Sequence, residues 1–204
     1  MSSEAGARIV GVDGCPAGWV AVASDDAFGT VSIDLFADVD ALARAQPGAT
    51  IAVDLPFGLP DTDGPGGRDA ERAARQRLGP RASSVFSIPP RCAVYAAISP
   101  SKPDTGARYR HALAVARAAS GIGFSIQAFH ILPKIVEIDR RLRRVPGEAA
   151  RVHECHPEVA FAVMAGAPCA RPKKTRDGQA ERVARLAAAG VPRATIERAL
   201  GLFP

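Results

Sequence analysis

Two aspartates stand where strand-end chemistry would need them. Asp13 closes the apolar run Arg8 to Asp13 (RIVGVD), and Asp54 lies in TIAVDL, two residues before Pro56. Each is expected at the C-terminal end of a strand, and in an open α/β sheet that rim is where sites form. Carboxylates drawn from separate elements can hold a divalent ion, Mg2+ or Mn2+, which activates water and stabilises a leaving oxygen. The competing structural account makes both acids turn residues, because Asp-Gly and Asp-x-Pro are ordinary turn sequences.

Further along the chain, RVHECH (Arg151 to His156) reads as a strand that places Glu154 and His156 on one side. Glu158 follows at the start of a helix opened by Pro157, where an acid also suits the helix dipole. These residues add carboxylates to the same rim. His153 and Cys155 are expected to face the other way and to be packed. A Cys155–His156 nucleophile pair is set aside, because adjacent strand residues point to opposite faces. Between the two acidic regions, GPRASSVFSIPPR sets Arg81 and Arg91 around Ser83, Ser84 and Ser87, a composition suited to phosphate oxygens. Lys134, Lys173 and Lys174 are further phosphate-positioning candidates, although for any single one an ordinary surface cation is the stronger account. One Trp, two Tyr and eight Phe give weak support to base stacking along a strand.

Charge follows the same division. Arg68 to Arg144 carries 15 Lys/Arg against 5 Asp/Glu, whereas the rest of the chain carries 11 against 16. A basic segment flanked by acids suits an enzyme of polyanions, with cations on phosphates and carboxylates on a metal. With 22 Arg and 4 Lys, a solvated Arg-rich surface is the plainer account.

The elements that must position these residues begin with a hairpin, Arg8 to Asp13 and Trp19 to Ser24 around the turn GCPAG. A third strand at Thr30 to Phe36, a helix at Asp38 to Ala45 capped by Asp38, and a strand at Thr50 to Leu55 follow. This β-β-β-α-β order is the opening of a ribonuclease H-like mixed sheet in an α/β fold. A basic helical insertion over 56–147 precedes the last sheet strand, within a single domain spanning 1–204. It holds helical stretches at Arg68 to Leu78, Ala107 to Ala119 and Pro133 to Arg144, and a Pro-flanked connection SSVFSIPPRCAVY. After the returning strand come helices from Pro157 to Met164, Gly178 to Ala189 and Pro192 to Leu200.

Composition bounds the class. The 204 residues, 47% hydrophobic and 23% charged, supply one sizeable core and exclude global disorder. The longest uncharged stretch, Ala118 to Pro133, is too short and polar to span a bilayer, so no membrane association is expected. The N-terminus does not read as a secretory signal, which points to the cytoplasm. Cys15, Cys92, Cys155 and Cys169 form no CxxC pair, arguing against a zinc site or disulfide framework.

Six segments together resemble a bacterial and archaeal family catalogued as domain of unknown function family 429, described as predicted nucleases of ribonuclease H fold. They are GVDGCPAGWVAV (Gly11 to Val22), DLPFGLP (Asp54 to Pro60), RLGPRASSVF (Arg77 to Phe86), SIQAFHILPKIVEID (Ser125 to Asp139), ECHPEVAF (Glu154 to Phe161) and KKT..G...R (Lys173 to Arg182). The resemblance implies a metal-dependent nuclease in which Asp13 is the first-strand acid, Asp54 the fourth-strand acid, and Glu154 or Glu158 the later carboxylate. In that scheme Asp13, Asp54 and Glu154 hold Mg2+ or Mn2+, and His156 or Glu158 handles a proton. Arg81, Arg91, Lys134 and Lys174, with Ser83 and Ser84, position a DNA or RNA phosphate. Glu137 and Asp139 are reserve acids. Family members continue into an acidic helix of the type DD-x-LDA, whereas this sequence ends at GLFP; a chain without that helix would lack its ligand and expose apolar surface where it packs.

Two alternatives remain. One is a non-catalytic nucleic-acid binding module with an incomplete metal site. The other is a nucleotide-phosphate enzyme, because GVDG before a Gly-bearing hairpin also resembles the phosphate loop of actin-like kinases; that reading needs a homodimer to supply a second domain.

Overall fold

The computed structural model describes residues 8–25, 28–62, 66–102 and 104–201. Alternating apolar residues in the first half form β1 (Ile9–Cys15), β2 (Gly18–Ser24) and β3 (Val31–Phe36), followed by α1 (Val39–Ala45) and β4 (Thr50–Val53). Gly18, at φ +136°, starts β2 where a Cβ would lie 2.0 Å from the Phe36 carbonyl oxygen, so the turn out of β1 requires glycine there. Asp38 caps α1, its carboxylate accepting from the Ala41 amide at 2.7 Å. The third segment of sheet, β5 (Val152–Glu154), joins β4, giving a five-stranded mixed sheet in the order β3-β2-β1-β4-β5. The pairs β1–β2 and β2–β3 are antiparallel; β1–β4 and β4–β5 are parallel. The expected β-β-β-α-β opening is therefore present in an α/β chain with eight α-helices among the described residues.

The chain divides into two compact units. The first comprises the segments up to Asp54 and from Gly147 onward. Its sheet buries one face through Val10, Val12, Trp19, Ala21, Ala23, Ile51 and Val53, while α1 packs on β2 and β3. The opposite face is more open, with Ile9, Val22 and Leu35 exposed, Leu35 by 60%. This unit also holds α6 (Pro157–Ala165), α7 (Arg176–Ala188) and α8 (Arg193–Gly201).

The second unit, Leu55–Pro146, is helical: α2 (Asp69–Leu78), α3 (Arg91–Ala96), α4 (Thr105–Ser120) and α5 (Ile126–Arg144). Two buried carboxylates brace it. Glu71, 3% exposed, accepts from the Arg68 guanidinium at 2.8 Å and from the Ile88 amide at 3.3 Å. Asp139 accepts from the Tyr95 hydroxyl at 2.7 Å and pairs with Arg91. Burial and this bond push the Tyr95 hydroxyl above its ordinary pKa.

Two expected boundaries are corrected. The helix expected from Pro133 starts at Ile126, because Ser125 caps it by accepting from the Ala128 amide at 3.1 Å. Pro133 sits inside that helix instead of opening it. Secondly, SSVFSIPPRCAVY contains the short helix α3 rather than running as a plain connection.

Candidate active site

The sheet register decides which acids meet. Val12 pairs with Val53, and the Asp54 amide donates to the Val12 carbonyl at 2.8 Å, so Asp13 and Asp54 occupy the next level on neighbouring parallel strands. Adjacent strands lie about 4.8 Å apart. Val10, Val12, Ile51 and Val53 point to the buried face, so alternation sends both aspartates to the opposite face, at its C-terminal rim. Gly11 and Ala52 precede them on that face, as Gly and Ala leave room beside the carboxylates.

Electrostatics match this placement. Burial, and then the neighbouring charge of Asp13, push Asp54 up to about 6; His156 and Lys173 pull against that rise. Asp13 is also raised, by burial, against a hydrogen bond from the Gly14 amide and the charge of Lys173. Two carboxylates, an imidazole and an ammonium group thus act on one another at one end of the sheet.

The predicted third carboxylate is not in this group. Strand β5 pairs Glu154 with Val53, which turns the Glu154 side chain to the face of Val12 and Val53, away from Asp13 and Asp54. Cys155, whose amide donates to the Val53 carbonyl at 2.9 Å, takes the level of Asp54 instead. Burial and the Asp54 charge raise its thiol pKa. The expected strand to His156 stops at Glu154; His156 becomes the residue before α6, so strand alternation does not govern it. That is how it reaches Asp54 electrostatically while Glu154 does not share its side.

Glu158, expected to be catalytic, is 7% exposed and held by Arg182. The guanidinium donates from Nη2 to both carboxylate oxygens at 2.7 and 2.6 Å and from Nε at 2.9 Å. This occupies the acid in a link between α6 and α7. Among the described residues, no group of three or more His, Cys, Asp and Glu side chains could hold a metal ion. Asp13 and Asp54 are the two carboxylates that the register sets side by side at the rim. That pair suits Mg2+, which keeps several waters and takes one or two carboxylates together with substrate phosphate oxygens.

The phosphate-positioning candidates fall in both units. Lys173, one of those cations, acts on both aspartates; Lys174 is the next residue of the same exposed turn. Arg81, Ser83, Ser84, Arg91 and Lys134 belong to the helical unit. Arg91 is committed to Asp139 and to the Leu59 carbonyl at 2.9 Å, which corrects its expected phosphate role. Ser84 donates to the Arg81 carbonyl at 2.9 Å within a 3-10 turn, and Ser83 is exposed. Lys134 pairs with Glu137 at 2.9 Å on the same helix, and the other reserve acid, Asp139, is buried against Arg91 and Tyr95 within the helical unit.

Arg182 and Gly178 are the residues that sequence reasoning undervalued. Gly178 lets the Pro172 carbonyl approach α7 so closely that a Cβ would lie 1.9 Å from its oxygen. Thr175 caps α7 and donates to that same carbonyl at 2.8 Å. The spacing KKT..G...R was the signal: it encodes the turn that carries Lys173 and the helix that fastens it.

No curated protein and no solved structure matches the chain. A sequence model of a family described as a protein of unknown function (DUF429) matches residues 11–201, nearly the whole chain. The protein belongs to that family.

Proposed function

We propose that the protein is a metal-dependent phosphodiesterase of nucleic acid with a ribonuclease H-like sheet. The observation that carries this reading is the in-register pair Asp13 and Asp54 at the rim, with Lys173 and His156 acting on it. Two neighbouring carboxylates, one of which raises the proton affinity of the other, are poised to accept a cation, because a divalent charge cancels the repulsion. When bound there, Mg2+ or Mn2+ supplies Lewis-acid activation of water and stabilisation of the leaving oxygen.

The residues contribute the remainder. Asp13 and Asp54 hold the cation and orient it at the strand ends. Lys173, on an exposed turn, draws an anionic phosphate toward the carboxylates and tempers their mutual repulsion. His156 carries a proton on its imidazole for the leaving oxygen. The Arg-rich segment from Arg68 to Arg144 supports a polyanionic substrate over a small neutral one.

The test is cleavage of a DNA and RNA panel with Mg2+ or Mn2+. Asp13→Asn and Asp54→Asn should each lower metal-stimulated turnover at least about a hundredfold; unchanged turnover in either overturns the reading. A second reading, a binding module without turnover, is favoured by the two-carboxylate donor set: steeply salt-dependent binding without metal-stimulated cleavage by the wild type would establish it. Thermal stabilisation by ATP with Mg2+ would point instead to a nucleotide-phosphate enzyme.

A further inference from the structure

The helical unit contains an open cavity of about 730 Å³, within the range of small-molecule sites. Its walls combine guanidinium groups and aromatic rings, which can hold a phosphate and a base respectively. Phe86 presents its ring to solvent, 44% exposed. Tyr109 and Phe124 form the inner wall, stacked edge to face with centroids 5.8 Å apart, and the Tyr109 hydroxyl donates to the Phe124 carbonyl at 2.9 Å. Those contacts fix the rings before anything binds.

The two arginines differ in their freedom. Arg75 is spent on the wall: Nε and Nη2 donate to the Val85 carbonyl at 3.2 and 3.1 Å, and Nη2 also donates to Ser87 Oγ at 2.7 Å. This clamps the backbone on either side of Phe86 and sets its ring at the cavity mouth. Arg117 is exposed on α4, and its guanidinium makes no hydrogen bond or ion pair with another described residue. It lies over Gly123, where a Cβ would come within 3.6 Å of its Nε. A charged guanidinium left available in the same cavity as an exposed ring and a preformed aromatic wall matches a planar base joined to a phosphate.

We infer that this cavity is a nucleotide-binding site, in which Phe86 stacks on a base and Arg117 holds the adjoining phosphate. It deepens the phosphodiesterase reading, on which it rests for a strand as the source of the nucleotide, and it uses none of the rim carboxylates. Ser87, noted in the sequence beside the phosphate candidates, serves here by locking Arg75.

The test is fluorescence anisotropy of a labelled short single-stranded oligodeoxyadenylate with the full chain, in EDTA so that no metal-dependent step runs, over a range of salt. Phe86→Ala should weaken binding about tenfold with the salt slope unchanged, because a stacking contact is lost. Arg117→Gln should weaken it and reduce the slope of log K against log salt by about 0.7, the value for one phosphate contact on a single strand. Both side chains are exposed, and unchanged melting temperatures would verify that the variants fold. Competition by AMP would show that a free nucleotide suffices, and its failure would assign the site to a strand. Wild-type affinity in both variants, or no binding by the wild type, overturns the proposal. Binding that persists without any cleavage activity would leave the cavity assignment standing while the hydrolase reading falls.

Discussion

Glu158 on α6 and Arg182 on α7 form a two-pronged ion pair at 2.6 to 2.9 Å, with both side chains about nine-tenths buried. The same guanidinium donates from Nη1 to the carbonyls of Gly178 at 2.7 Å and Arg171 at 3.2 Å. His156 precedes α6, and Lys173 follows Arg171 in the turn before α7. One arginine therefore ties the start of the helix after His156 to the turn that bears Lys173.

Removing Arg182 should be costly for that reason. Arg182→Ala leaves Glu158 buried without its partner, a loss of about 3–5 kcal/mol. Replacing both residues with Met should recover much of it, because no uncompensated charge remains. Urea denaturation of the single and double variants checks this, and equal losses in both would show that the pair's charge is immaterial.

Gly178→Ala should also destabilise the protein, by about 1–3 kcal/mol, because the new methyl group meets the Pro172 carbonyl oxygen. Gly147→Ala, where a Cβ meets nothing within 4 Å, is the matched control. Equal melting temperatures for the two variants would refute the close approach.

Lys173 and Lys174 are neighbours with different expected effects. Lys173→Ala should raise the Asp54 pKa further and reduce metal-stimulated turnover, because its charge favours the ionised carboxylates. Lys174→Ala should leave the Asp54 titration where it is. Carboxyl-resolved NMR titration reads both, and an identical Asp54 titration in the two variants removes Lys173 from the site.

Much of this arrangement was legible in the sequence, and the exceptions share a cause. Asp13, Asp54, Asp38 and the first four strands followed from alternation and turn chemistry, which act locally. Glu154 failed because its face depends on pairing with Val53, more than 100 residues earlier; a one-residue change of register inverts the outcome. Glu158 and Arg91 failed because their partners, Arg182 and Asp139, are distant in the chain and take up the charge that the sequence leaves apparently available. The start of α5 lies about two turns before Pro133, because the Ser125 cap sets the boundary and the helix carries the proline in its interior.

Divalent metal should stabilise the folded chain through the aspartate pair. At about a hundred times its dissociation constant, Mn2+ would add about 2.7 kcal/mol. The gain in melting temperature should vanish in Asp13→Asn/Asp54→Asn and survive in Glu154→Gln, whose side chain faces away. A gain abolished by Glu154→Gln would restore the carboxylate that the register excludes.

Without metal, the sign of the Asp54 effect reverses the usual behaviour of a paired carboxylate. Its folded-state pKa, about 6, lies above the ordinary value of 3.8, so the folded chain holds this proton more tightly than the unfolded one. Its contribution is fully present below the unfolded value and is lost as pH rises through about 6. Asp54→Asn removes that loss and should stabilise the protein at pH 7 in EDTA, even as it abolishes metal-stimulated turnover. Because the carboxylate is only partly buried, the gain should be on the order of 1 kcal/mol. Denaturation profiles of wild type and variant should converge near the acid end of the 3.8-to-6 window and separate above it. A variant less stable than wild type at pH 7 would mean that Asp54 is held by a favourable partner rather than strained by burial and by Asp13.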